Sequence, residues 1–459
     1  MITHEQIRRF HALYRQDRSA QALTAAMAGT AMADLAFVPV NAAKLSGAFE
    51  IEVKTHGITA QQKSGRCWLF AAMNIMREEV IKKTGLTEFE LSGNYLSFFD
   101  KLEKANNVLE MAIAEAARPQ DDRMTEFIFE GFHDGGYWDM AADLVRKYGA
   151  VPASAMPESY QSTHTETFMD KLTFLVRKDA WELREMVRRG EDPSARKEEM
   201  LSEIFRVECI AFGEPVTQFD FDYTDADGVY HANRNMTPAS FYETFIGLDP
   251  DEYISVTNHP TPGKPMDHYY SFHYIGNMAD RNVRFLNLTI EEIEDLCIRQ
   301  LKSGMPVWFG CDSDCYGNRR NGIWDPDSLD YEGIMGGIEL YMEKGARLQS
   351  HASYSSHAMI LIGVNFDENG EPNRWKIENS WGEEAGQKGY FVCSKKYFRE
   401  YVYEAIIHRS LLSGTQLALL EDMERKLPQI VGILRAIYND LGLKADLDKT
   451  AGLWKGART

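Results

Sequence analysis

The stretch Ala60 to Asn74, AQQKSGRCWLFAAMN, limits the fold more than any other part of the chain. Ser64-Gly65 is a turn pair, so the first half cannot stay helical for long. From Cys67 onward every residue to Lys83 tolerates a helix, and Gly85 supplies a stop. Phe70, Met73, Met76 and Val80 recur at helical spacing. The reading is a largely buried helix with Cys67 in its first turn. A thiol there meets the positive end of the helix dipole and orphan N–H groups, which favour the nucleophilic thiolate. A free cysteine is equally at home as a small buried hydrophobe. This stretch alone leaves both readings open.

The 459 residues exceed one small core and allow two or three lobes. With 69 acidic against 50 basic residues the formal charge is −19, which opposes tight binding to nucleic acid or anionic membranes. The six cysteines are scattered with no CxxC pair, so neither a zinc knuckle nor a disulfide scaffold is expected. The first residues lack the apolar core of a signal peptide, and no apolar run reaches spanning length. The expectation is a soluble, cytoplasmic protein without metal or cofactor.

Along the chain, residues 3–29 read as a helical arm with Ile7, Phe10, Leu13 and Tyr14 on one face. Ser92 is placed to cap a helix running past Phe99 and Leu102. Gly135-Gly136 precede an amphipathic helix that stops at Gly149. Paired glycines can be a plain turn, or can leave backbone groups open to an extended peptide. Residues 165–213 read as two helices joined at Gly190–Pro193, and Met305 to Cys311 as a buried strand. The acidic stretch 312–330 reads as a solvated loop. Asp312 and Asp314 start like a calcium loop, but Ile323 stands where the closing Glu belongs.

His357 opens a strand, Asp367–Asn373 is a turn, and Arg374 to Gly382 returns. On the returning strand Trp375, Ile377 and Asn379 share a face. The hairpin brings Asn379 near His357, offset by a few residues unless a bulge or longer loop corrects it. A thiol nucleophile needs a base, and the base needs a third group to hold its ring. Cys67, His357 and Asn379 supply these types, with a pair resting as thiolate and imidazolium. Gln61 supplies an amide that, with the backbone N–H at the helix start, can stabilise an oxyanion.

Gln61 to Phe70, Asp134 to Trp138, His357-Ala358-Met359 and Glu378-Asn379-Ser380-Trp381-Gly382 resemble the papain-superfamily signature. Pro157 to Tyr160, Val307 to Asp312, Lys388-Gly389-Tyr390 and Tyr401 to Glu404 are similar to the bleomycin hydrolase and bacterial aminopeptidase C family. The resemblance implies an α+β, papain-like two-lobe fold. A helical lobe would carry the nucleophile and an antiparallel β lobe the His and Asn, with large inserted helices and strands. It implies segments 1–160 (arm and helical lobe), 161–300 (insertion), 301–410 (β lobe) and 411–459 (helical extension and tail). It makes Cys67 the nucleophile, His357 the base, Asn379 its orienter and Gln61 the oxyanion donor. Gly135 and Gly136 would meet the substrate backbone, and Trp381 would shield the His–Asn bond. Short peptides would be the substrates of a homohexamer.

The family's usual C-terminal arm motif is absent; the chain instead shows a second amphipathic helix, Pro428 to Leu441, and a tail ending at Thr459. The carboxylate of Thr459 is the expected anchor for a substrate α-amino group. The expected activity is release of N-terminal amino acids through a thioester. The alternatives are an endopeptidase or dipeptidyl-cleaving relative, and a catalytically idle ring-shaped binding protein.

Overall fold

A computed structural model describes residues 1–272 and 274–421. The N-terminal arm is two helices, His4–Gln16 and Arg18–Met27, broken at Asp17, whose side chain caps the second. Helix α1 (Cys67–Thr84) starts at the thiol and ends at Gly85, which takes the left-handed φ of 69° that glycine tolerates. Trp68 through Arg77 are all buried. This part of the helix is therefore enclosed on every side, and tertiary packing holds it rather than one apolar stripe. Helix α2 (Gly93–Ala114) is capped by the Ser92 hydroxyl, which accepts from the Tyr95 amide. Such a cap contributes about 1 kcal/mol. Helix α3 (Trp138–Tyr148) stops at Gly149. Helices α4 (Glu166–Arg188) and α5 (Ser194–Phe212) pack on α2 through Leu172, Val176, Leu183, Met200 and Ile204.

Strands β1 (Tyr253–Thr257), β2 (Val307–Cys311), β3 (His357–Phe366), β4 (Pro372–Glu378), β5 (Tyr390–Ser394) and β6 (Val402–His408) lie in the order β1-β6-β2-β3-β4-β5 within an eleven-stranded sheet. Its pairs are antiparallel except Tyr253–Thr257 with Val283–Asn287 and Tyr390–Ser394 with Ile323–Trp324. One face, through Trp308, Ala358, Ile360 and Ile406, joins the core of α1 to α3. The other face, through Phe309, Met359, Leu361, Trp375 and Ile377, builds a second core. Burial on both faces explains why β2 is apolar without alternation.

The β3–β4 hairpin shows how the expected offset is absorbed. Ile360 lies opposite Glu378, and the register shifts between Leu361 and Gly363 and again between Asn365 and Phe366. The acidic stretch 312–330 differs from its reading as a solvated loop. Asp312 and Asp325 are buried, because the Ser353 and Ser328 hydroxyls donate to them at 2.5 Å each. Ser353 lies 41 residues from Asp312, too far for local composition to reveal it. The helix read at Pro428 to Leu441 and the terminal Thr459 lie outside the described residues.

Candidate active site

The turn ahead of α1 is tied together locally. The Gln61 side-chain amide donates to the Ser64 carbonyl at 2.7 Å, and the Ser64 hydroxyl returns to the Gln61 carbonyl at 2.6 Å. Gly65 is required here, since a Cβ would come within 2.8 Å of the Asp134 Cβ. Two indoles then lock the helix start: Trp68 Nε1 donates to the Asp134 carbonyl at 2.7 Å, and Trp308 Nε1 to the Trp68 carbonyl at 2.9 Å. Cys67 is half-buried at that start. Its thiol faces three backbone N–H groups, those of Ala358, Trp68 and Cys67 itself. Ala358 follows His357, so sequence positions far apart in the chain, 67 and 358, meet at the sulfur's surroundings.

On the sheet side, His357 Nε2 and Asn379 Oδ1 are 2.8 Å apart, both buried. With the proton assigned to Nε2, the imidazole donates to Asn379 and keeps Nδ1 as its basic nitrogen. Asn379 Oδ1 also accepts from the Ser380 amide at 2.8 Å, which fixes the amide orientation. Trp381 stacks on His357 with centroids 4.7 Å apart and planes 23° off parallel. The Arg319 guanidinium covers the indole at 4.8 Å from its centroid. Gln61 joins this side as well. Its backbone N–H donates to the Ser380 carbonyl at 2.8 Å, and the Ser380 hydroxyl donates to its Oε1 at 2.7 Å.

Burial pushes the Cys67 thiol up; the three N–H groups pull it down, and Asp134 pushes it up again. Burial, with a smaller push from Arg319 and against the pull of Asn379, lowers His357 to about 4. The helix-dipole argument alone gives a resting thiolate, but desolvation outweighs it on both partners. Burial therefore opposes the charged form of each partner taken alone. Proton transfer creates two charges that then stabilise each other in the same dry setting.

The Gly135-Gly136 loop is held by buried cations of α2. Lys101 pairs with Asp134 at 2.9 Å, and Lys104 pairs with Asp100 at 2.7 Å while donating to the carbonyls of His133 and Gly135. Burial alone would raise Asp134, but Lys101, Thr165 and Lys104 outweigh it and hold the carboxyl below its usual range. Gly136 has a packing reason as well: a Cβ would sit 2.6 Å from the Trp68 ring.

Thus Gln61, Cys67, His357, Asn379 and Trp381 converge, with Gly135 and Gly136 beside them through Trp68. Thr459 lies outside the described residues. Sequence reasoning missed Ser380 as the tie between Gln61 and Asn379, although it stands inside the quoted motif. It also missed Arg319, Lys101 and Lys104, for which only distant packing gives a signal. Among the described residues no cluster of His, Cys, Asp or Glu could hold a metal ion. No helix among them is long and apolar enough to cross a membrane. A polarisable sulfur, an oriented base and convergent amide donors are the equipment of nucleophilic acyl transfer.

Comparison with known proteins agrees with that chemistry. The profile of the Peptidase C1-like family matches residues 1–430. Aminopeptidase C of Lactobacillus delbrueckii subsp. lactis is 40% identical over 373 residues, covering 80% of this chain and 83% of that one. Aminopeptidase C of Listeria monocytogenes is 37% identical over 414 residues, covering 90% and 93%. A crystal structure of PepW from Lactobacillus rhamnosis superimposes with a TM-score of 0.90 at 37% identity, covering 93% of this chain and 96% of that one.

Proposed function

This chain belongs to the Peptidase C1-like family, and on that premise we propose that it is a cysteine aminopeptidase releasing N-terminal amino acids from short peptides. The Cys67 sulfur attacks the carbonyl carbon of the first peptide bond while His357 takes the thiol proton. The tetrahedral oxyanion is met by the Cys67 amide and the Gln61 side-chain amide. The Cys67 amide is one of the N–H groups at a helix start that have no intrahelical acceptor. His357 returns the proton to the departing amine, the C–N bond breaks, and a thioester remains. Water then attacks the thioester, with His357 accepting its proton. The C–S bond breaks, the free amino acid leaves, and the thiol is reprotonated.

Asn379 holds the imidazole in the tautomer this cycle needs, and Trp381 screens that bond from water. Gly136 pairs with the substrate backbone. Its amide and carbonyl have no hydrogen-bond partner among the described residues, which supports that role. The observation that carries the reading is the 2.8 Å contact of His357 with Asn379 next to the Ala358 amide that faces the thiol. Replacing Cys67 by Ala should abolish hydrolysis of aminoacyl fluorogenic amides; retained turnover contradicts the reading. We extend it to a cytoplasmic homohexamer. Exposed Ile7, Phe10, Leu13 and Tyr14 on the first helix support subunit contact, and six free cysteines fit a reducing compartment. Sedimentation of the full chain tests the assembly.

A further inference from the structure

Gly310 on β2 is paired with Ala358 on β3 and with Glu404 on β6. Directly opposed residues project to the same face. Ala358, Gly310 and Glu404 therefore form a row across three strands, on the face turned toward α3. The row starts at the nucleophile, since the Ala358 amide faces the Cys67 thiol. Two strand spacings, about 10 Å, separate the backbones of Ala358 and Glu404. Gly310 leaves a furrow between them, where a Cβ would meet the Ser355 hydroxyl at 2.6 Å and the Glu404 Oε2 at 3.5 Å. Ser355 is exposed, so the furrow opens to solvent beside it. The Glu404 side chain leans over Gly310, toward Ala358 and the thiol.

Glu404 is 3% exposed, and its Oε1 is buried without a hydrogen-bond partner among the described residues. Burial raises its pKa, and Asp139, the charged group acting on it, is another acid that raises it further. Tyr137, next to Gly136, lies close enough to feel the Glu404 charge. Asp139 is already engaged, accepting from the Ser255 hydroxyl at 3.2 Å and the Arg284 amide at 2.9 Å. A buried carboxylate facing a second acid is costly to ionise unless a cation arrives with proton donors. No structural cation does this for Glu404 among the described residues.

We propose that Glu404 is the specificity-determining carboxylate that receives the protonated α-amino group of the substrate. A substrate with its scissile carbonyl at Cys67 carries that ammonium on the same residue, two bonds or about 2.5 Å from the carbonyl carbon. The lean of Glu404 across Gly310 turns its carboxylate toward that end of the substrate. The ammonium brings the missing charge and the missing donors. A blocked N-terminus brings neither, and leaves the carboxylate unpaired in the cleft. The assignment draws on the described residues alone and does not depend on where Thr459 lies. It rests on the aminopeptidase reading above.

The test compares leucyl amidomethylcoumarin with its desamino analogue, 4-methylpentanoyl amidomethylcoumarin, on wild type and Glu404→Gln. Loss of one charge-assisted contact should raise KM for the leucyl substrate roughly 10- to 100-fold. Turnover of bound leucyl substrate and kcat/KM for the desamino analogue should stay within about threefold. An equal loss on both substrates would make Glu404 structural, and a loss confined to lysyl or arginyl substrates would make it a side-chain pocket. Either result, or an unchanged KM, overturns the assignment. Glu404→Asp, which keeps the charge but shortens its reach, gives an intermediate rise on the leucyl substrate alone and serves if Glu404→Gln does not fold. Loss of the wider reading looks different: there, Cys67→Ala retains activity.

Discussion

The two walls of the site are built from different forces. On the helix wall, the backbone around Cys67 is held by ion pairs: Lys101 with Asp134 and Lys104 with Asp100, both buried, and buried Arg66 with the more exposed Glu158 at 3.0 Å. On the sheet wall, His357 is held by an amide contact and an indole stack. Ion pairs fix loops firmly but leave fields behind, and the Asp134 charge raises the Cys67 thiol. Stacking fixes a ring plane, while Arg319 beyond the indole lowers the imidazole. Each wall alone therefore favours its neutral form. The chemistry belongs to their contact, where a proton can pass from one to the other.

Arg77 joins the two walls, since it runs from α1 to Glu378 at 2.9 Å, one residue before Asn379. Arg77→Met should cost the most, about 3–5 kcal/mol of unfolding free energy, because Glu378 is left buried and unpaired. Chemical denaturation measures it, and adding Glu378→Leu should recover much of the loss. A change below about 1 kcal/mol would show the walls to be held together elsewhere.

Next is the acid sensitivity of the sheet wall. Folding lowers His357 from 6.5 to about 4. Between these values the unfolded chain binds a proton that the folded chain does not. Stability should therefore fall as pH drops through this window, by about 3 kcal/mol in all, and be flat above it as far as this group is concerned. Urea titrations at several pH values check this, with His357→Gln losing that component.

Asn379→Ala should lower kcat/KM about 100-fold through loss of base orientation, with KM little changed. Equal losses in stability and activity would make Asn379 merely a packing residue. Trp381→Ala should cost about 1 kcal/mol of stability for the lost stack. The smallest effect is expected from Arg319→Met: removing the cation raises the imidazole pKa, so the acid limb of the kcat/KM profile moves to higher pH by less than one unit. A shift to lower pH would contradict the assigned field.

Features written in neighbouring residues were legible in the sequence. Ser64-Gly65, Gly85 and Ser92 mark the ends of α1 and the start of α2 through turn and cap chemistry, and the structure has them there. The His357–Asn379 hairpin was also legible, including the need for a register correction. What composition could not show was set by distant partners. Asp312 looks solvated because its hydroxyl donor, Ser353, is brought to it only by folding. The thiol at a helix start looks acidic because the dipole is local, whereas the burial that pushes it back up arises only on folding. Arg319, Lys101 and Lys104 carry no motif, and only packing assigns their targets.

The coupling of the walls is tested most directly by the alkylation rate of Cys67 with iodoacetamide as a function of pH, read by mass spectrometry at that residue in wild type and His357→Gln. Proton transfer to His357 predicts a wild-type profile that rises well below the ordinary thiol range and moves above pH 8.5 when the imidazole is removed. Superimposable profiles for the two proteins would mean that sulfur and imidazole titrate independently, and would contradict the account.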